Sequence, residues 1–123
     1  MQSGRKDLSD RLLNFAASIV KLTSLLKKTV AECHIAGQIL RCSTSCGANY
    51  EEACAAESKA DFIHKMQIVL KELRESRYWL RLIQKSQLLS ENDPELSELL
   101  QETGELAKII ARSIITAKNR RNQ

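Results

Sequence analysis

The sequence holds one proline and four glycines in 123 residues, and so few breakers argue for long helices rather than a chain of short, turn-linked elements. Aromatic residues make up only 4%, so aliphatic side chains must fill the core. No apolar run approaches the roughly 20 residues of a membrane span. No N-terminal stretch has the charged, apolar and cleavage regions of an export signal. Without such a signal, Cys33, Cys42, Cys46 and Cys54 read as thiols in a reducing cytosol, and the protein as soluble and cytoplasmic, with no membrane partner. Paired Cys-x-x-Cys spacing, a phosphate-binding glycine loop, a dinucleotide fingerprint and a metal-binding His pair are all missing.

What the chain has in quantity is Leu, Ile, Ala, Glu, Lys and Arg. Its length fits one domain with a core of its own. The formal charge is +4 and unevenly spread. Residues 1–28 carry six basic and two acidic groups, and residues 29–57 one basic and four acidic. The tail Lys118-Asn119-Arg120-Arg121 has no acid. This balance permits contact with phosphates without demanding it.

Apolar residues recur at spacings of three and four in four segments. Leu8, Leu12, Phe15, Ile19, Leu22 and Leu26 mark the first, and Lys27-Lys28-Thr29 a connection in which Thr29 can cap the next helix. Ile35, Ile39, Cys42, Cys46, Tyr50 and Ala53 mark the second. Its middle, RCSTSCGANY, is poor in helix formers and on propensity alone is a loop. The periodicity nonetheless runs through it, which favours a helix whose small residues admit a close neighbour and whose hydroxyls bond back to the preceding turn. Ser58-Lys59-Ala60-Asp61 has the form of a capping box that starts the third helix. Ser90-Glu91-Asn92-Asp93-Pro94 is the strongest break, with Asp93 as cap and Pro94 in the first helical position. The expectation is a single-domain, all-α, antiparallel up-down-up-down four-helix bundle over residues 1–123. Its helices fall at about 7–27, 30–56, 59–89 and 94–118, with a basic tail at 119–123, give or take a few residues at each end.

The third helix concentrates the unusual residues. KELRESRYWLRLIQ, residues 71–84, contains the only Trp, one of two Tyr and three of nine Arg. At about 100° per residue, Phe62, Met66, Val69, Leu70, Leu73 and Leu80 form one apolar stripe, while Ile68, Trp79 and Leu82 lie away from it. That second patch reads either as a contact with another copy of the chain or as the edge of the bundle, half exposed. Arg74, Arg77, Arg81 and Lys85 form a basic strip without an interleaved acid. They read as a phosphate grip, helped by Lys118, Arg120 and Arg121, or as a solvated or intersubunit face. Local pairs are expected elsewhere on the helix, between Asp61 and Lys65 and between Lys71 and Glu75.

Catalytic chemistry finds little support. His34 and His64 stand on different helices with no nucleophile set beside them, and Glu51, Glu52 and Glu57 read as solubilising charge. Cys42 and Cys46 share a helix face, yet lack the paired spacing of a zinc site and read as small buried hydrophobes. No cofactor, metal or catalytic residue is expected.

Residues 41–83, RCSTSCGANYEEACAAESKADFIHKMQIVLKELRESRYWLRLI, resemble the bacterial four-helix-bundle proteins encoded in intervening sequences of 23S rRNA genes. The matching positions are Arg41, Thr44, Ser45, Gly47, Ala48, Asn49, Tyr50, Glu52 and Ala53. They continue through Asp61, Phe62, Lys65, Lys71, Glu72, Arg74, Glu75, Tyr78, Trp79 and Leu80. Cys42 and Cys46 depart from the pattern, which has small or aliphatic residues there. The resemblance implies a bundle that assembles into a five-membered ring, similar to the accessory variability protein of diversity-generating retroelements, a basic pentamer that binds nucleic acid and a reverse transcriptase. Asn49, Tyr50, Ile68, Tyr78, Trp79 and Leu82 are the candidate subunit contacts. The expected function is a non-enzymatic homopentamer that binds structured RNA, such as rRNA, or other nucleic acid through charge. The alternative is an adaptor ring that docks a protein partner, with no nucleic-acid affinity of its own.

Overall fold

The computed structural model describes residues 2–90 and 92–120. Four helices account for most of the described chain: α1 (Gln2–Thr23), α2 (Val30–Cys54), α3 (Lys59–Lys85) and α4 (Pro94–Asn119). Each of α1 and α3 packs on both α2 and α4, which places α1 diagonally opposite α3. Between α2 and α3 the side-chain pairs run in reverse chain order, with His34 against Trp79, Cys42 against Ser76 and Glu52 against Lys65. The fold is an all-α four-helix bundle.

The caps form as the local sequence dictates. Ser58 Oγ accepts from Asp61 N at 3.1 Å, and Asp93 Oδ1 accepts from Leu96 N at 3.0 Å. Thr29 Oγ1 accepts from Glu32 N at 3.2 Å and donates to Glu32 Oε1 at 3.0 Å. Glu32 also reaches back to accept from Lys27 N at 2.8 Å. These two bonds satisfy the buried carboxylate and tie the connection before the cap to the first turn of α2. The sequence carried the signal in Thr29-Val-Ala-Glu32, beyond the single cap assigned to Thr29.

The middle of α2 is helical throughout, so periodicity prevails over propensity there. Its polar side chains turn inward on their own backbone. Thr44 Oγ1 donates to Leu40 O at 2.7 Å, and Asn49 Nδ2 donates to Ser45 O at 2.9 Å. Cys42, Ser43 and Cys46 are buried. Gly47 faces α1, where a Cβ would sit 3.7 Å from Leu12 Cβ.

Three helix boundaries differ from expectation, the earliest being the start of the first helix, at Gln2 instead of about residue 7. The first helix stops at Thr23, and Leu26 joins the core from the turn that follows. The third stops at Lys85 instead of continuing to residue 89. Gln87 has φ 56°, Leu88 N donates to Ile83 O, and Gln87 N donates to Gln84 O. This is a Schellman closure with glutamine in the left-handed position where glycine is favoured. Leu88 and Leu89 then pack on the core from outside the helix, so the apolar rhythm outlasts the helix that started it.

The core is aliphatic, as the scarcity of aromatics requires. Leu12, Ile19 and Leu22 meet Ile39, Met66, Leu73, Leu80, Leu106 and Ile110, all fully buried. No helix among the described residues is long and apolar enough to cross a membrane.

Candidate nucleic-acid interface

The basic strip stands on the outer side of α3 with all four members exposed. Among the described residues none of Arg74, Arg77, Arg81 and Lys85 lies within ion-pair distance of a carboxylate. The reason lies in the register of α3: at about 100° per residue Glu72 and Glu75 project away from the strip, on the side where Arg41 of α2 holds Glu72 at 3.2 Å and Glu75 by a second nitrogen.

The local pairs expected along α3 give way to pairs across helices. Lys65 bonds Glu52 of α2 at 3.0 Å in place of Asp61, and its pKa is raised chiefly by that hydrogen bond. Glu75 goes to Arg41, leaving Lys71 3.9 Å from Glu72. Helix spacing brings the expected partners into range, but the packing of α2 supplies better-placed ones.

Trp79 sits half-buried at the seam between α2 and α3. Its Nε1 donates to Glu75 Oε2 at 3.0 Å. Its ring meets His34 edge-on at 5.9 Å and Tyr78 edge-on at 5.2 Å. Arg41, Glu75, Trp79 and His34 thus form one polar and aromatic clasp joining the two helices. Ile68 and Leu82 are also half-buried. Asn49 spends its amide on Ser45 within its own helix. Tyr50 is 4% exposed and belongs to the chain's own core, so it offers almost no surface to a second copy. Burial, followed by a hydrogen bond with Cys54, raises its pKa.

The other basic group is set apart from the strip. Lys59 Nζ, at the start of α3, donates to Lys118 O at 3.4 Å and Arg120 O at 2.5 Å. That contact ties the end of α4 to the end of α3 remote from Lys85. Lys59 and Arg74 are 15 residues apart, about 22 Å along the helix. Lys118 and Arg120 therefore do not join the strip on one protomer, and Arg121 lies outside the described residues. Beside the strip stands Tyr78, a candidate subunit contact, 56% exposed: the same rotation of about 100° per residue that groups Arg74, Arg81 and Lys85 puts it next to them.

The thiols are chemically quiet. Cys42 and Cys46 are buried and free, and burial pushes both thiols up in pKa, with Ser76 opposing in each case. Among the described residues no group of three or more His, Cys, Asp or Glu side chains is placed to hold a metal ion.

The family model of the 23S rRNA-intervening sequence protein matches residues 7–112. The chain belongs to that family. A crystal structure described as a protein with unknown function from the S23 ribosomal protein family, from Bacteroides thetaiotaomicron VPI-5482, is similar in sequence and fold. It shares 36% identity, with 87% of this chain and 97% of that chain covered and a TM-score of 0.77. A comparison with curated proteins finds no match. The likeness to that structure agrees with the four-helix frame.

Proposed function

We propose that this member of the family is a non-enzymatic, cytoplasmic, oligomeric bundle that binds structured RNA, or other nucleic acid, by charge. The observation supporting this reading is the exposed strip Arg74, Arg77, Arg81 and Lys85, none of which pairs with a carboxylate among the described residues. Cations on one helix edge contact phosphates without reading bases, and each contact releases counterions from the nucleic acid. Self-association, in a ring of five as the family resemblance implies, would multiply a weak single-strip affinity through effective concentration.

Titration of labelled structured RNA at low and moderate salt tests the proposal. Binding is expected to weaken as salt rises. The triple substitution Arg74→Ala, Arg77→Ala, Arg81→Ala is expected to flatten the log–log salt slope by about 2–3. Absence of binding at low salt removes the proposal, and binding indifferent to the triple substitution removes the strip.

The self-association in this reading is supported by a different surface. Leu13 and Val20 are 67% and 51% exposed, and their spacing of seven puts them on one face of α1. Light scattering of the wild type against Leu13→Glu/Val20→Glu reports whether that face holds copies of the chain together.

A further inference from the structure

Beside the strip, α3 and the loop before α4 enclose an open cleft of about 550 Å³, lined by Tyr78, Arg81, Leu82, Gln84, Lys85 and Asn92. Among the described residues its lining holds one exposed aromatic ring, two cations, two side-chain amides and one aliphatic group. The Tyr78 ring stands at 80° to the indole of Trp79, so the neighbouring aromatic covers at most one of its faces. Trp79 is itself fixed by Glu75 and His34, which gives Tyr78 a rigid backing. Along the axis Arg74 lies about 6 Å before Tyr78 and Arg81 about 4.5 Å after it.

We propose that Tyr78 is a stacking platform for an unpaired nucleobase, with Arg74, Arg81 and Lys85 on the flanking phosphates and Gln84 and Asn92 facing the base edge. This rests on the nucleic-acid reading above and narrows it. A paired duplex offers only its backbone to the strip, because its base faces are covered by stacking. A loop, bulge or single strand exposes a π-face that a tyrosine engages and that simple charge does not distinguish. Two amides beside the ring can each donate and accept, which suits the polar edge of a splayed base. The ligand class assigned to the cleft is therefore unpaired nucleic acid.

The experiment compares a labelled oligoadenylate with a fully paired RNA duplex of the same length at low salt, with Trp79 emission as a second readout. Tyr78→Ala is expected to weaken oligoadenylate binding about tenfold, the order expected for loss of one stacked base, and to leave duplex binding unchanged. Tyr78→Phe is expected to retain wild-type affinity, since the ring and not the hydroxyl carries the contact. Trp79 emission is expected to change with oligoadenylate and to hold steady with duplex. Binding of both RNAs that depends on the arginines but not on Tyr78 overturns the platform and leaves the charge-based reading standing. If neither RNA binds, both readings fall. Equal capture of polyglutamate, which offers charge without bases, marks the cleft as a site for acidic protein and likewise overturns the proposal.

Discussion

Arg41 on α2 and Glu72 on α3 lie 3.2 Å apart, and the carboxylate is the buried member, 5% exposed, while the guanidinium remains half in solvent. The pair joins two helices, and Glu75 adds a second carboxylate to the same guanidinium. Arg41→Ala leaves Glu72 buried without its main cation. Its expected cost is about 1–2 kcal/mol, the range for a stranded polar group and below that of a fully buried pair, because water reaches the guanidinium side. Urea unfolding at constant m-value measures it. In a double-mutant cycle with Glu72→Gln, the two losses should be clearly less than additive.

Gln87 occupies the left-handed position that closes α3, with φ 56°. A non-glycine residue there carries a backbone penalty of about 1 kcal/mol. Gln87→Gly is expected to stabilise the protein by about 0.5–1 kcal/mol, while Gln87→Val should destabilise it. A lower urea midpoint for the glycine variant contradicts this account of the helix end.

Gly37 lies within α2, and a Cβ added to it would meet no atom within 4 Å. Glycine in a helix interior is less favourable than alanine by roughly 0.5–1 kcal/mol. Gly37→Ala is therefore expected to stabilise the protein by that amount, read as a higher urea midpoint at constant m-value. Gly47→Ala should gain no more than this, because its Cβ would enter van der Waals contact with Leu12 at 3.7 Å.

Burial is the first cause of the raised Cys42 and Cys46 pKa values, and the ordinary thiol value is 9.0. Above that value the unfolded chain releases protons that the folded chain retains, so stability falls as pH rises. Below it the contribution is fully present. Tyr50 adds in the same direction above its ordinary value of 10.0. The urea midpoint is expected to be level near neutrality and to drop above about pH 9, with a smaller drop in Cys46→Ala. In the native state at neutral pH, a thiol reagent should modify exposed Cys33 first and half-exposed Cys54 next. Cys42 and Cys46 should react no faster than the chain opens.

The number of helices, their caps and the membership of the core were settled locally. Three-four spacing of Leu and Ile selects the buried face of each helix, and Ser58 and Asp93 satisfy donors only three residues away. Even RCSTSCGANY followed its rhythm, because inward-turned hydroxyls cost the helix little. Tertiary packing decided the rest, since it brings together groups that share no sequence proximity. It sent Glu75 to Arg41 instead of Lys71, and Lys65 to Glu52 instead of Asp61. It also opened the cleft around Tyr78 by laying the loop residue Asn92 beside α3. A helix pitch determines which residues share an edge; only the neighbouring helices determine which of those edges remain free.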